Sequence, residues 1–108
     1  MKTWCGKTDG GTFAVEFHAS VLKALERYCR DAGSSETGGI LVGRYSDDLS
    51  LALVRAASPP PTDSRRGHAW FVRGVNGLRD MLSTRWQAKE RTYYVGEWHF
   101  HPAAPVVP

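Results

Sequence analysis

Two short segments of this 108-residue sequence hold the residue types that hydrolytic chemistry needs. The first is Gly96-Glu97-Trp98-His99-Phe100-His101-Pro102. On a strand, successive side chains face opposite ways, so His99 and His101 share one face while Trp98 and Phe100 share the other. Their Cα atoms then lie about 6.6 Å apart, close enough for both imidazoles to converge on one metal ion. The apolar pair would anchor the strand in a core, and Pro102 would stop the ladder, leaving the histidines at a strand end. The second segment is Glu36-Thr37-Gly38-Gly39, which sets a carboxylate at the mouth of the apolar run Ile40-Leu41-Val42. Its glycines allow a backbone or a substrate to approach closely. Each segment alone is a weak signal. An H-x-H is more commonly a pair of surface or structural histidines, and a glutamate before two glycines is most often a turn acid beside a bulge. Together they supply two imidazoles to hold a metal and a carboxylate to move a water proton to a leaving group. Glu97 would share the histidine face and reads as a structural acid or as a partner that supports a ligand from behind.

The elements that must position these groups follow from periodicity. Gly10-Gly11 marks a turn, with Trp4 and Phe13 on the two arms of an N-terminal hairpin. Residues 12–17 alternate, with Phe13, Val15 and Phe17 on one face. Val21, Leu22, Leu25, Tyr28 and Cys29 then recur at three and four, the stripe of an amphipathic helix that Ser20 or His18 could cap and Gly33 could end. Ile40 to Val42 fits a buried strand, and Ser46-Asp47-Asp48 turns into a second strand over 49–56. The proline-rich stretch 58–67 reads as an exposed connection, and residues 69–72 as a short strand. Val75, Leu78, Leu82 and Trp86 predict a second helix of about four turns. Residues 92–101 form the last strand, and the tail with Pro102, Pro105 and Pro108 reads as extended surface chain. The order predicts an α/β (α+β) domain, a mixed sheet with two helices.

Composition narrows the class. At this length one domain is expected, and 42% hydrophobic with 23% charged residues is a globular profile rather than a disordered one. The net charge of +3 comes from scattered basic residues with no run longer than Arg65-Arg66, which argues against a nucleic-acid footprint. No apolar stretch approaches the roughly 18 residues of a membrane span, and no apolar segment follows Lys2 as a secretion signal would require. Cys5 and Cys29 lack metal or redox spacing. A cytoplasmic protein with reduced thiols is the expectation, Cys29 lying on the apolar helix face.

The two segments also carry a family resemblance. Glu36-Thr37-Gly38-Gly39-Ile40-Leu41-Val42-Gly43 resembles the E-[ST]-G-G-x-L-x-G block of the JAB/MPN (JAMM) metalloenzymes, and His99-Phe100-His101-Pro102 resembles their H-x-H-P. The blocks occur in the family's order, about sixty residues apart, and that joint occurrence is far more specific than either alone. Intervening text, including Phe71-Val72-Arg73-Gly74 and Tyr93 to Trp98, is similar to the bacterial stand-alone type. The resemblance spans roughly residues 12–108 and implies a curved mixed sheet flanked by two helices, the MPN/cytidine-deaminase-like fold. It implies a zinc isopeptidase or peptidase acting on a ubiquitin-like protein or its conjugates, in a bacterial conjugation or antiphage-defence system. By the same resemblance Glu36 is the general acid/base, and His99 and His101 are zinc ligands. An extended substrate tail would add to the strand edge around Ser58 to Gly67.

The family's third ligand is the aspartate of an S-x-x-D that begins after seven further residues, and its serine serves the oxyanion. Here Pro102 to Pro108 are those seven residues. The sequence as given is therefore expected to be a truncated form, to bind zinc weakly and cleave poorly, and to self-associate through its shortened end. Asp47, Asp48 and Asp63 fall in predicted turns, with no reason to reach the site. The alternative is a non-catalytic MPN-like interaction domain that binds a partner through the same groove.

Overall fold

A computed structural model describes residues 3–7 and 10–102, with backbone alone for 3–5. Among these residues, seven strands and two helices run in the order β1 (Thr3–Lys7), β2 (Ala14–His18), α1 (Ala19–Ala32), β3 (Thr37–Tyr45), β4 (Leu51–Ala57), β5 (Arg65–Arg66), β6 (Phe71–Val72), α2 (Leu78–Gln87) and β7 (Tyr93–Phe100). Five strands form one sheet in the order β1-β2-β4-β3-β7, while β5 and β6 make a separate ribbon. β1 and β2 pair antiparallel, as the hairpin expectation required. β2 and β4 pair in parallel, with α1 in the crossover, so the sheet is mixed as the sequence implied. The tail from residue 103 onward lies outside the described residues.

The helices cover opposite faces, and β3 shows why. Leu41 packs with Val21, Leu25, Tyr28 and Cys29 of α1, around buried Val54 and Trp98. Its neighbours Ile40 and Val42 pack instead with Leu78, Met81 and Leu82 of α2. Alternating side chains thus divide one apolar run between two cores, which is why it contains no polar residue. His18 caps α1, its ring accepting from the Ser20 amide, and Gly33 (φ 62°) ends it. Cys29 is a free thiol, and burial pushes it above the usual thiol range.

The register breaks twice. Between Leu41 and Val42 the break leaves Val95 of β7 opposite no residue of β3. Between Val42 and Gly43 it does the same to Arg55 of β4. Such bulges bend and curl a sheet. At the second, a Cβ on Gly43 would collide with the Leu53 carbonyl, so the bulge requires glycine.

Three expectations are corrected. β3 begins at Thr37 rather than Ile40, so Gly38 and Gly39 lie within the sheet. The connection after β4 is not wholly exposed: Ser58 is buried, and Arg65–Arg66 pair with Phe71–Val72. The second helix starts at Leu78, three residues after exposed Val75. Asp63 explains that start. Its carboxylate accepts from the Val75 and Asn76 amides and fixes the chain in a turn ahead of the helix.

Those bonds, the Asn76 amide first and then Val75, hold the Asp63 carboxyl below the usual carboxylate range. In the Ser46–Ser50 turn, the Ser50 hydroxyl and amide, with the Ser46 hydroxyl, lower Asp48 to about 2. A depressed carboxyl pKa gives stability that is present above its unfolded value of about 3.9 and is lost as pH falls through the folded value. Melting temperature should therefore drop as pH falls from about 4 toward 2. An Asp63→Asn variant should show a shallower drop over that window. An equally steep drop would show that Asp63 does not contribute.

Candidate active site

The β3–β7 ladder brings the two sequence segments together. Thr37 pairs with Phe100, Gly38 with His99 and Gly39 with Trp98. The residue just before β3, Glu36, therefore meets the residue just after β7, His101. Glu36 Oε1 lies 2.9 Å from His101 Nδ1. Glu36 is only 9% exposed, whereas His99 and His101 are exposed, with ring centroids 5.5 Å apart. A buried carboxylate beside two accessible imidazoles thus sits at the open end of the sheet, on the α2 face.

The opposite face of β7 holds the strand in place. Trp98 is buried, stacks on Tyr28 of α1 at 5.8 Å, and donates from Nε1 to the Ser58 carbonyl at 3.0 Å. Phe100 packs against the same cluster. The alternation expected from the sequence therefore holds: aromatic residues inward, histidines outward.

Gly38 and Gly39 are needed because the space beside them is full. A Cβ on Gly38 would lie 2.9 Å from the His99 ring and 3.0 Å from Phe71. Phe71 itself meets His99 edge-on at 5.7 Å. Ser58 receives β3 next to Gly39, its hydroxyl accepting from the Ile40 amide and its own amide donating to the Ile40 carbonyl, each at 2.9 Å. Ser58 falls in the proline-rich connection and Phe71 in a two-residue strand, and neither lies in a periodic pattern that would name it as a neighbour of the site. Ser58→Ala would orphan a buried amide and should cost about 1–3 kcal/mol, read as a lower midpoint in urea denaturation. A change under about 0.5 kcal/mol, the usual level for a neutral surface substitution, would contradict that.

Other acids lie elsewhere. Glu97 pairs with Arg73, Nε to Oε1 at 2.6 Å, which matches its reading as a structural acid. Asp48 and Asp63 belong to the turns described above. The β5–β6 ribbon reaches the mouth of the site, since the Glu36 amide donates to the Gly67 carbonyl and the Gly67 amide to the Trp70 carbonyl, each at 2.9 Å.

A model of the prokaryotic homologues of the JAB domain matches residues 18–108, spanning α1, Glu36, both histidines and the sheet that joins them. The chain belongs to the prokaryotic JAB domain family. This JAB domain is also similar to the CD-NTase/cGAS isopeptidase of Enterobacter hormaechei subsp. hoffmannii (strain UCI 50), at 44% identity over 101 residues. That alignment covers 94% of the chain and 55% of the relative, so the JAB domain spans about half the length of the relative. The mixed α+β architecture agrees with the family's fold.

The donors can be weighed against zinc. Imidazole is a good zinc ligand, and the two rings share one accessible face. Among the described residues no set of three His, Cys, Asp or Glu side chains is grouped to hold a metal ion. His99 and His101 therefore match zinc in kind and would supply two donors of a ligand set. A hydrogen bond from Nδ1–H of His101 to Glu36 would leave its Nε2 lone pair free for a metal, the usual way in which a carboxylate orients a histidine ligand.

Proposed function

We propose that this JAB domain is the hydrolytic core of a zinc-dependent isopeptidase, and that it acts on an isopeptide conjugate involving a CD-NTase/cGAS-type protein and a ubiquitin-like partner, as part of antiviral defence. The observation that carries the reading is the buried Glu36 carboxylate at 2.9 Å from His101, with His99 alongside. The relative's name as an isopeptidase supports the reaction class.

His99 and His101 would hold the zinc. When bound, zinc supplies Lewis acidity, which polarises a carbonyl and acidifies water. Glu36 takes one proton from the attacking water as oxygen bonds to the isopeptide carbon. It then delivers that proton to the nitrogen as the C–N bond breaks, so a carboxylic acid and an amine leave and Glu36 returns to its starting charge. Burial keeps the carboxylate out of bulk solvent, and the bond to His101 fixes its direction. The β5–β6 ribbon, tied to the Glu36 amide, would guide the extended tail that leads to the scissile bond.

The test is hydrolysis of a ubiquitin-like conjugate by the protein at its full encoded length, with metal content measured in parallel. His99→Ala and His101→Ala should each lose zinc and cleavage together. Full cleavage with either histidine removed would refute the reading, as would partner binding without any cleavage, the behaviour of an interaction domain.

A further inference from the structure

Thr92 directly precedes β7, at the opposite end of that strand from His101. It is 2% exposed, and among the described residues its Oγ1 has no hydrogen-bond partner. An unpaired buried hydroxyl is costly, so it marks a place where a partner belongs. Thr92 lines a cavity of about 370 Å³ whose wall carries Arg55, Arg85 and Lys89. His18 and Ser20, at the start of α1, complete one side.

These groups meet for structural reasons. The parallel register of Phe17 with Val54 sets His18 beside Arg55. The β3–β4 register break frees Arg55 from a cross-strand partner, and bulges commonly re-aim a side chain in this way. The Thr92 amide donates to the Arg85 carbonyl at 3.3 Å, holding the loop after α2 against its helix.

The electrostatics favour an anion. Among the described residues Glu90 is the one carboxylate on the lining, and it is engaged by Arg55 at 3.1 Å and approached by Arg44 at 3.8 Å. Among the described residues Arg85 and Lys89 belong to no ion pair. The first turn of α1 contains no acidic residue; the His18 ring accepts from the Ser20 amide, and no carboxylate of that turn offsets the positive end of the helix dipole. Two uncommitted cations and a helix start are donors that phosphate oxygens accept from, and Thr92, with its unpaired buried hydroxyl, stands in the same wall. The cavity lies within the roughly 300–1,000 Å³ range of small-molecule sites, with room for more than the bare anion.

We propose that this cavity binds a phosphate group, free or carried on a small molecule. Titration of the chain with inorganic phosphate at low ionic strength, followed by amide NMR, tests it, with adenosine 5′-monophosphate as a second arm. Saturable one-site binding is expected, with shifts centred on residues 19–22 and 88–92. Tighter binding of the ester would identify the ligand as an esterified phosphate, and equal binding as the free anion. Arg85→Ala and Lys89→Ala should each weaken binding about tenfold, the scale of one charge-assisted bond. Thr92→Val should weaken binding while raising the melting temperature, because it removes an unpaired buried hydroxyl and keeps the shape. Absence of saturation at tens of millimolar phosphate would overturn the proposal. So would shifts centred on Arg65–Arg66, or unchanged affinity in the three variants.

Discussion

Glu36→Gln should lower kcat/KM for isopeptide hydrolysis by about 10²–10⁴-fold, the usual share of a positioned general base, while the melting temperature stays within a few degrees. The substitution is nearly isosteric, and an amide can still hydrogen-bond His101 Nδ1, so the packing around this buried residue need not change. What disappears is the ability to accept a proton from water. Zinc content separates two roles for the carboxylate. If the variant keeps its zinc and loses turnover, Glu36 moves the proton. If zinc is lost as well, Glu36 acts chiefly by orienting His101. Undiminished cleavage would remove Glu36 from the mechanism altogether.

Gly39→Ala should be the most damaging single-methyl change near the site. The added Cβ would sit 2.5 Å from the Ser58 hydroxyl, 2.7 Å from the Ser58 carbonyl and 2.8 Å from Trp98 Nε1. None of these can step aside cheaply. The hydroxyl holds the Ile40 amide, the carbonyl holds the indole, and the indole is stacked on Tyr28. Relief requires moving β4 or β7 away from β3. Overpacking of this kind costs about 3 kcal/mol, and for a domain of about 100 residues that corresponds to roughly 12–20 °C in melting temperature. Thermal denaturation followed by circular dichroism reads it directly. A fall of less than about 5 °C, the shift expected from 1 kcal/mol, would show that the close approach is not rigid. Activity should fall with stability here, because the same strands hold Glu36 and His101.

These two residues show what sequence could and could not disclose. The outward histidines and inward Trp98 and Phe100 were legible because a strand has a period of two, and four consecutive residues sufficed to read it. The helix over 19–32 was legible for a similar reason, although the sequence left its cap open between Ser20 and His18, and the structure places His18 there. Gly38 and Gly39 were readable as a close approach, but their neighbours were not. Ser58, Phe71 and Trp98 come from three other elements, and no local pattern names them. The start of α2 misled because Val75 fits the helical period three residues before Leu78. The deciding group, Asp63, lies twelve residues upstream of Val75. Trp86 fits the same stripe yet is half exposed, since it rests against Tyr93 and under Arg91 rather than in the core. A two-residue ribbon such as β5–β6 is too short to show any period.

The β3–β7 ladder also sets a clock on the nascent chain. Thr37 and Phe100 are partners across more than sixty residues, so at about 5–20 residues per second roughly 3 to 13 s separate the synthesis of Glu36 from that of His101. For that interval β3 has no neighbour on its outer side, and the carboxylate has no imidazole to meet. Ladders of such long sequence separation close late, because the loop entropy must be overcome first. Glu36 and the two histidines are thus brought together only when β7 pairs with β3, and a nascent chain that lacks β7 has no assembled candidate site.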